Sequence, residues 1–223
     1  MSQTSQYSKT RIAVTVAFII NGSVAGSFYS RIADIKGQLQ ITNSALGFAL
    51  LCIAVGVLIG LGISGRQCAK RGSAPVVVAS TYAIGASVLI VGLTNSFIAL
   101  CFAFVFFGAC LSIQDVAMNS HAIVLEHEVD KRYMSTFHAM FSIGTLGGGI
   151  LGGIFSQNGV SIFSQSLFIA VLIVISNFLV RNNFLPASSD QHPLTKKKNI
   201  RRPRIFIVVG LLGLCAALSE GSA

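Results

Sequence analysis

Charged side chains are scarce in this sequence. Only 10% of the 223 residues are charged, against about 25% in an average soluble domain. A soluble helix needs a polar face, so this scarcity argues against an ordinary soluble domain. The composition also excludes disordered, collagenous and disulfide-rich secreted chains. The charges are clustered, and five stretches have none: 12–30, 37–65, 72–114, 133–180 and 205–219.

The sequence also lacks the common motifs of enzymes and metal sites. The five cysteines are spread singly without a CxxC pair, and the four histidines form no HExxH pattern. No P-loop, nucleophile elbow or dinucleotide-binding fingerprint occurs. We therefore predict that the protein has no metal site, needs no cofactor, is not an enzyme and does not use ATP.

Long apolar runs dominate what remains. Two of them, 72–114 and 133–180, are each long enough for two membrane spans of about 20 residues. Turn-forming residues interrupt each run once, at 94–96 and at 157–159. A lipid bilayer offers the backbone no hydrogen-bond partners, so we predict an all-α integral membrane protein. Seven helical segments are expected: 12–30, 43–65, 75–93, 97–122, 136–156, 162–180 and 205–222.

Basic residues are distributed unequally between the two sides of these segments. If the N-terminus is cytoplasmic, 14 of the 16 basic residues lie on the cytoplasmic side, and only Arg31 and Lys36 lie opposite. The positive-inside rule therefore predicts a multi-pass protein of the bacterial inner (plasma) membrane with a cytoplasmic N-terminus. Topology also explains the net charge of +9, so we predict no nucleic-acid partner.

Composition divides the chain into three parts. Residues 1–180 are expected to form a six-helix transmembrane bundle, and 181–204 a basic cytoplasmic linker with three prolines. Residues 205–223 are expected to be a truncated seventh transmembrane helix. The chain thus looks like one complete block and the start of a second.

One acidic residue lies inside a predicted span. Asp115 has Ser112 three residues before it and Asn119 four residues after it, so these polar side chains share a helix face. Gln114 and His121 flank this face. Ionisable groups in membranes are costly and often functional. Asp115 is either a proton acceptor on a solute pathway or a carboxylate satisfied by neighbouring amides and hydroxyls.

Other polar positions are weaker candidates. Glu220 is the second acidic group at membrane depth, and Asn21 could bind solute or pack against a neighbouring helix. Arg31 is interpreted as an anchor at the outer interface. His138 could respond to pH or be an ordinary interfacial histidine.

Glycines recur at helical spacing. Gly144, Gly148 and Gly152 form one ridge on the fifth predicted helix, and GxxxG pairs occur in the first two. Such ridges let helix backbones approach closely. The fifth helix is therefore expected either to pack tightly or to provide a sliding contact.

In this arrangement the chain resembles the N-terminal half of a major facilitator superfamily transporter. Residues 65–72 fall where that family has its signature loop, and Gly65, Lys70 and Gly72 match it, whereas Ala69 replaces its acidic residue. The segment 115–119 resembles an acidic-x-Ala-x-Asn segment of fucose-permease-like proton symporters. Residues 219–223 resemble the start of the seventh helix in uncharacterised bacterial inner-membrane relatives.

The resemblance implies two three-helix repeats and secondary active transport of a small, polar solute, driven by protons. Asp115 would take the proton. The solute would be contacted by Asn21, Gln114 and Asn119. Residues 65–72 would act as a gating loop of the transporter. The implied partners are the lipid bilayer, solute, protons, and either a missing C-terminal half or a second copy. Two alternatives remain: a non-transporting membrane fragment or interaction subunit, and an exporter of amphiphilic compounds.

Overall fold

The computed structural model describes residues 3–190, with side chains from residue 5 onward. Within this range the chain is helical and contains no strand, as the sequence predicts. The predicted seventh helix, with Glu220, and the linker beyond residue 190 lie outside the described residues. The helices are α1 (Gln3–Tyr29), α2 (Ile32–Leu39), α3 (Asn43–Arg71), α4 (Ser73–Gly92), α5 (Phe97–Val129), α6 (Met134–Gln157) and α7 (Ile162–Val180).

Six of these helices are long and apolar enough to cross a membrane, namely all except α2. They coincide with the first six predicted segments, which confirms the prediction of a six-span bundle. Three helices begin with a side-chain cap. The hydroxyls of Thr42, Ser96 and Ser161 accept hydrogen bonds from the backbone N–H groups of Ala45, Ala99 and Ser164. These residues cap the N-termini of α3, α5 and α7. Each cap satisfies a backbone N–H group that has no acceptor within its own helix.

The structure corrects two expected loops. Residues 32–39 form the short helix α2, which buries Ile35. The basic segment after residue 65 is helical as far as Arg71, and Gly72 alone separates α3 from α4. Basic residues ended the apolar run in sequence, but long basic side chains can extend a helix into the headgroup region. Gly72 makes the turn with φ of 79°, which is in the region that favours glycine.

The helices pair between the two halves of the bundle. The most extensive contacts join α1 to α6, α3 to α5 and α4 to α7. Each pair takes one helix from α1, α3 and α4 and one from α5, α6 and α7. This exchange is the arrangement expected of two three-helix repeats. The helices α6, α1, α5 and α3 therefore lie side by side in that order, and α4 packs against both α5 and α7.

Glycines allow the close contact between α1 and α6. A Cβ at Gly144 would meet the carbonyl oxygen of Ile19, and one at Gly148 would meet that of Ser23. At Gly152 it would meet the hydroxyl of Ser30. The three glycines of the predicted ridge therefore lie against α1, where any side chain would push the two backbones apart.

Candidate functional site

Two neighbouring residues at the middle of α5 have opposite surroundings. Gln114 is fully buried, whereas Asp115 is exposed. Successive residues on a helix are about 100° apart, and here that rotation separates the bundle interior from its surface. The two side chains therefore need separate descriptions.

Gln114 belongs to a buried chain of hydrogen bonds between three helices. Its side-chain oxygen accepts a hydrogen bond from Asn21 of α1 at 2.8 Å. Its amide nitrogen donates to Thr81 of α4, also at 2.8 Å. Thr81 in turn donates to the carbonyl of Val77 in its own helix. Asn21 and Gln114, both sequence-predicted solute contacts, thus bond to each other inside the bundle.

Among the described residues, Asp115 has hydrogen bonds only within its own helix. The Asn119 amide donates to the Asp115 carboxylate at 3.2 Å and to its backbone carbonyl at 2.8 Å. Within residues 5–190 no Lys, Arg or His forms an ion pair with Asp115. His138 of α6 is close enough to Asp115 to interact with it electrostatically. The carboxylate therefore has an acceptor oxygen to spare and a titratable neighbour; we call Asp115, Asn119 and His138 the open-face cluster.

Ser112 does not accompany Asp115 on that face. Its side chain is 6% exposed, and the nearest part of α3 is Gly60, where an added Cβ would meet the Ser112 Cβ. Its hydroxyl has no hydrogen-bond partner among the described residues. The predicted polar stripe is therefore interrupted by the contact between α3 and α5.

Arg31 lies in a buried network at the end of the bundle opposite residue 72. Its side chain is only 5% exposed, so the expectation of an interfacial anchor is wrong. The guanidinium pairs with Asp34 at 2.6 Å and donates to Gln165 and to the Val160 carbonyl. Gln165 also donates to Ser27 of α1. The acidic residue three positions after Arg31 was the sequence signal for this network.

His121 belongs to a second network, at the end of the bundle that contains Gly72. It is 1% exposed and both ring nitrogens have partners, the Ser73 hydroxyl and the backbone N–H of Leu185. No sequence pattern predicts these contacts, because Ser73 and Leu185 are 48 and 64 residues away from His121. His121 is therefore not part of the open-face cluster.

A charged cleft of about 420 Å³ opens between the start of α1 and the end of α5. Arg11 lies over the Tyr133 ring, 5.5 Å from its centre. The Tyr7 hydroxyl donates to Glu128 at 3.2 Å, and Lys131 also lines the cleft. Both signs of charge are thus present beside the helix that carries Asp115.

The matched positions of the signature-like segment have different surroundings. Gly65 is exposed, and a Cβ there would meet open space. Lys70 is exposed in the last turn of α3, and Gly72 is buried in the turn to α4. Among residues 5–190, no cluster of three metal-binding side chains occurs.

Comparison with known proteins gives consistent matches. The sequence profile of the Major Facilitator Superfamily matches residues 13–220. An uncharacterised transporter of Sinorhizobium fredii is 28% identical over 94% of this chain and 56% of its own length. An uncharacterised MFS-type transporter of Yersinia pestis is 27% identical over 95% and 55%. Membrane protein MosC of Rhizobium meliloti is 28% identical over 96% and 52%. The chain spans about half the length of these relatives.

Proposed function

Since the chain belongs to the major facilitator superfamily, we propose that it acts in secondary transport of a small polar solute, coupled to protons. Asp115 is the proton-accepting group in this proposal. The supporting observation is an exposed carboxylate inside a membrane-length helix. Among residues 5–190, its only hydrogen-bond donor is Asn119 of the same helix. The transporter names of two relatives support the transport part.

Because Asp115 lies within a predicted membrane span, an unpaired ionised carboxylate there has a high free-energy cost. Asp115 lies 18 residues after Phe97 and 7 before residue 122, where the predicted span ends, or about 27 Å and 11 Å along the axis at 1.5 Å per residue. A charge at such depth needs water, a cation or a proton. The described helices provide no cation in contact, so proton binding is the simplest way to remove the charge.

The two remaining members of the open-face cluster have distinct proposed roles. The Asn119 amide donates to the ionised carboxylate, and it leaves one carboxylate oxygen available for a proton or a solute hydroxyl. His138 is a second proton-carrying group on the neighbouring helix, and its side chain is exposed. Asn21 and Gln114, by contrast, support the position of α5 through the buried chain. Glu220 stays a predicted second acidic group.

The charged cleft supports a polar solute. Arg11 and Lys131 offer positive charge and Glu128 offers negative charge, whereas an exporter of amphiphilic compounds would be expected to have a more apolar entrance. We propose that solute passes this cleft at the cytoplasmic side.

Membrane orientation and partners complete the proposal. The unequal distribution of basic residues supports an N-terminus in the cytoplasm of a bacterial cell and a bundle in the inner membrane. Alternating access needs two blocks around a site. The second block facing the open-face cluster is either a C-terminal half or another copy of this chain. Residues 65–72 and the glycines of α6 are proposed to move during this exchange.

Proton movement that accompanies solute uptake tests the proposal in the native host. We expect a solute from a panel of sugars, polyols and amino acids to raise the external pH when added to weakly buffered cells. Chromosomal Asp115→Asn should abolish this pH change and uphill accumulation, because the amide keeps the shape of the carboxylic acid but does not titrate. Solute exchange without a gradient should survive.

Asp130→Asn is the matched control. Asp130 is an exposed carboxylate at the cytoplasmic end of the same helix, where it ends α5 with φ of 50°. Asparagine tolerates this conformation, so transport should be unchanged. Undiminished uphill uptake in Asp115→Asn cells would remove Asp115 from the mechanism.

A further inference from the structure

The ten residues after α7 do not leave the bundle directly. Residues 182–190, which we call the cytoplasmic strap, cross the cytoplasmic ends of α1, α4 and α5. At one end of the strap, the carbonyl of Asn183 accepts a hydrogen bond from Thr10 of α1 at 2.7 Å. Gln6 donates to the same carbonyl at 3.4 Å. The strap is thus bound to α1 before it reaches the other helices.

The middle of the strap is buried. Phe184 is 7% and Leu185 is 5% exposed, and both belong to a core cluster that includes Cys68, Val77 and Leu125. The Phe184 ring packs edge-on against the His121 ring, with 5.2 Å between their centres. This strap segment therefore contributes side chains to the hydrophobic core at the cytoplasmic end of the bundle.

His121 connects the strap to α4 through its two ring nitrogens. The backbone N–H of Leu185 donates to Nε2 at 3.1 Å, so Nε2 carries no proton. In the neutral ring the proton is then on Nδ1, which donates to the Ser73 hydroxyl at 2.7 Å. A single buried side chain of α5 thus fixes both the strap and the first residue of α4.

Asp190 caps α4 from the far end of the strap. Both carboxylate oxygens accept from the backbone N–H of Ser73, at 3.1 and 3.0 Å. The residue before Ser73 is Gly72, which has no side chain to cap the helix. A carboxylate at a helix N-terminus is favourable because it satisfies N–H groups and faces the positive end of the helix dipole.

A tight steric contact completes the closure. A Cβ on Gly72 would be 2.5 Å from the Ala187 carbonyl oxygen and 2.9 Å from the Ala187 Cβ. No side chain larger than hydrogen fits there while the strap is in place. The glycine between α3 and α4 is therefore required both for the turn and for the strap that covers it.

We propose that the cytoplasmic strap is a latch, held by Asp190 and His121, whose release opens the core at the junction of α3 and α4. It binds that junction to α5, the helix that carries Asp115, so release loosens α4 and α5 at the cytoplasmic end. The proposal stands on these contacts alone and does not depend on the proposed transport function.

Cys68 is a native reporter for the latch. It is 8% exposed and shares the core cluster with Phe184 and Leu185. The experiment uses the 223-residue chain in lipid nanodiscs with Cys52, Cys101, Cys110 and Cys215 replaced by alanine. The rate at which a water-soluble maleimide alkylates Cys68 then measures how often the core opens.

Two matched pairs of variants distinguish the latch from general destabilisation. Asp190→Asn should raise the alkylation rate roughly threefold, as expected for a weakened helix cap, whereas Asp130→Asn should leave it unchanged. Gly72→Ala should raise it roughly tenfold through overpacking. Gly159→Ala should not, because Gly159 also has a positive φ of 65° but open space around its Cβ position.

The comparison within each pair decides the result. A faster rate for Asp190→Asn than for Asp130→Asn supports the latch, as does a faster rate for Gly72→Ala than for Gly159→Ala. If Gly72→Ala does not fold, the asparagine pair decides alone. Equal rates within every pair that folds would overturn the proposal.

Discussion

Gln114 and Asp115 are adjacent in sequence but face different environments. Gln114 is hydrogen-bonded on both sides by side chains of α1 and α4. Asp115, among the described residues, is bonded only to Asn119 of its own helix. Both are polar residues within a predicted span. The inward side chain joins helices, whereas the outward one leaves a carboxylate oxygen without a hydrogen bond from any described residue.

The largest expected effect is loss of function on the outward side. Asp115→Asn should abolish uphill solute accumulation but leave thermal unfolding of the purified protein nearly unchanged, because none of the other described helices hydrogen-bonds to its carboxylate. Unfolding in detergent, followed by circular dichroism, measures the second part. A clear fall in unfolding temperature would show that Asp115 is a structural residue and remove the contrast with Gln114.

The buried Arg31 network is a second set of inward-facing polar groups. We expect its loss to cost more stability than the loss of the Gln114 hydrogen bonds. Arg31→Leu should lower the free energy of unfolding by about 2–3 kcal/mol, because hydrogen bonds to charged groups are strong and their partners are left unsatisfied. Asp34 and Gln165 lose their cationic partner in this variant. Titration with SDS measures the loss. Lys36→Leu removes a half-buried cation of α2 that has no ion pair among the described residues, and it should show a smaller change.

Gln114→Leu breaks the inward chain itself. It removes the hydrogen bonds with Asn21 and Thr81 while keeping the apolar volume. We expect the free energy of unfolding to fall by about 1–2 kcal/mol, since hydrogen bonds between membrane helices average about 0.6 kcal/mol each and unsatisfied partners add to that. Stability equal to the native protein would show that the chain of hydrogen bonds contributes nothing to the bundle.

The smallest effect is expected at Asn119. Asn119→Ala removes the only side-chain donor to Asp115 among the described residues, so the ionised form loses one hydrogen bond and proton uptake becomes easier. Transport should persist with its pH optimum moved to higher pH, because the proton is then held more firmly. Unfolding should not change. A pH profile identical to that of the native protein would exclude a role for Asn119 in coupling.

Composition and hydropathy predicted the helices better than the contacts between them. The positions of six spans followed from apolar length, which lipid enforces directly. The helical extension to Arg71 was missed because the basic residues after Gly65 end the apolar run without ending the helix. The His121 network was missed because its partners lie far away in sequence. In the Arg31 network Gln165 and Val160 are also distant, although Asp34 is only three residues from Arg31.

The sequence also identified the helix that carries the candidate site. It did not predict which polar side chains of that helix are buried and which are exposed. Asp115 and Asn119 were expected on one face of α5, and the hydrogen bonds between them agree with that spacing. Gln114 was expected to contact solute, but its burial depends on how α1 and α4 pack around α5. Helix rotation is set by tertiary contacts, which a single sequence does not contain.

Infrared difference spectroscopy tests the central claim, that Asp115 binds the transported proton, most directly. The protein is reconstituted in lipid, and spectra are recorded across a pH titration for the native chain, for Asp115→Asn and for Asp130→Asn. If Asp115 binds the proton, the native protein shows a carbonyl stretch of a protonated carboxylic acid that changes with pH. Asp130→Asn should show the same band, and Asp115→Asn should lack it. The same titrating band in Asp115→Asn would contradict the claim.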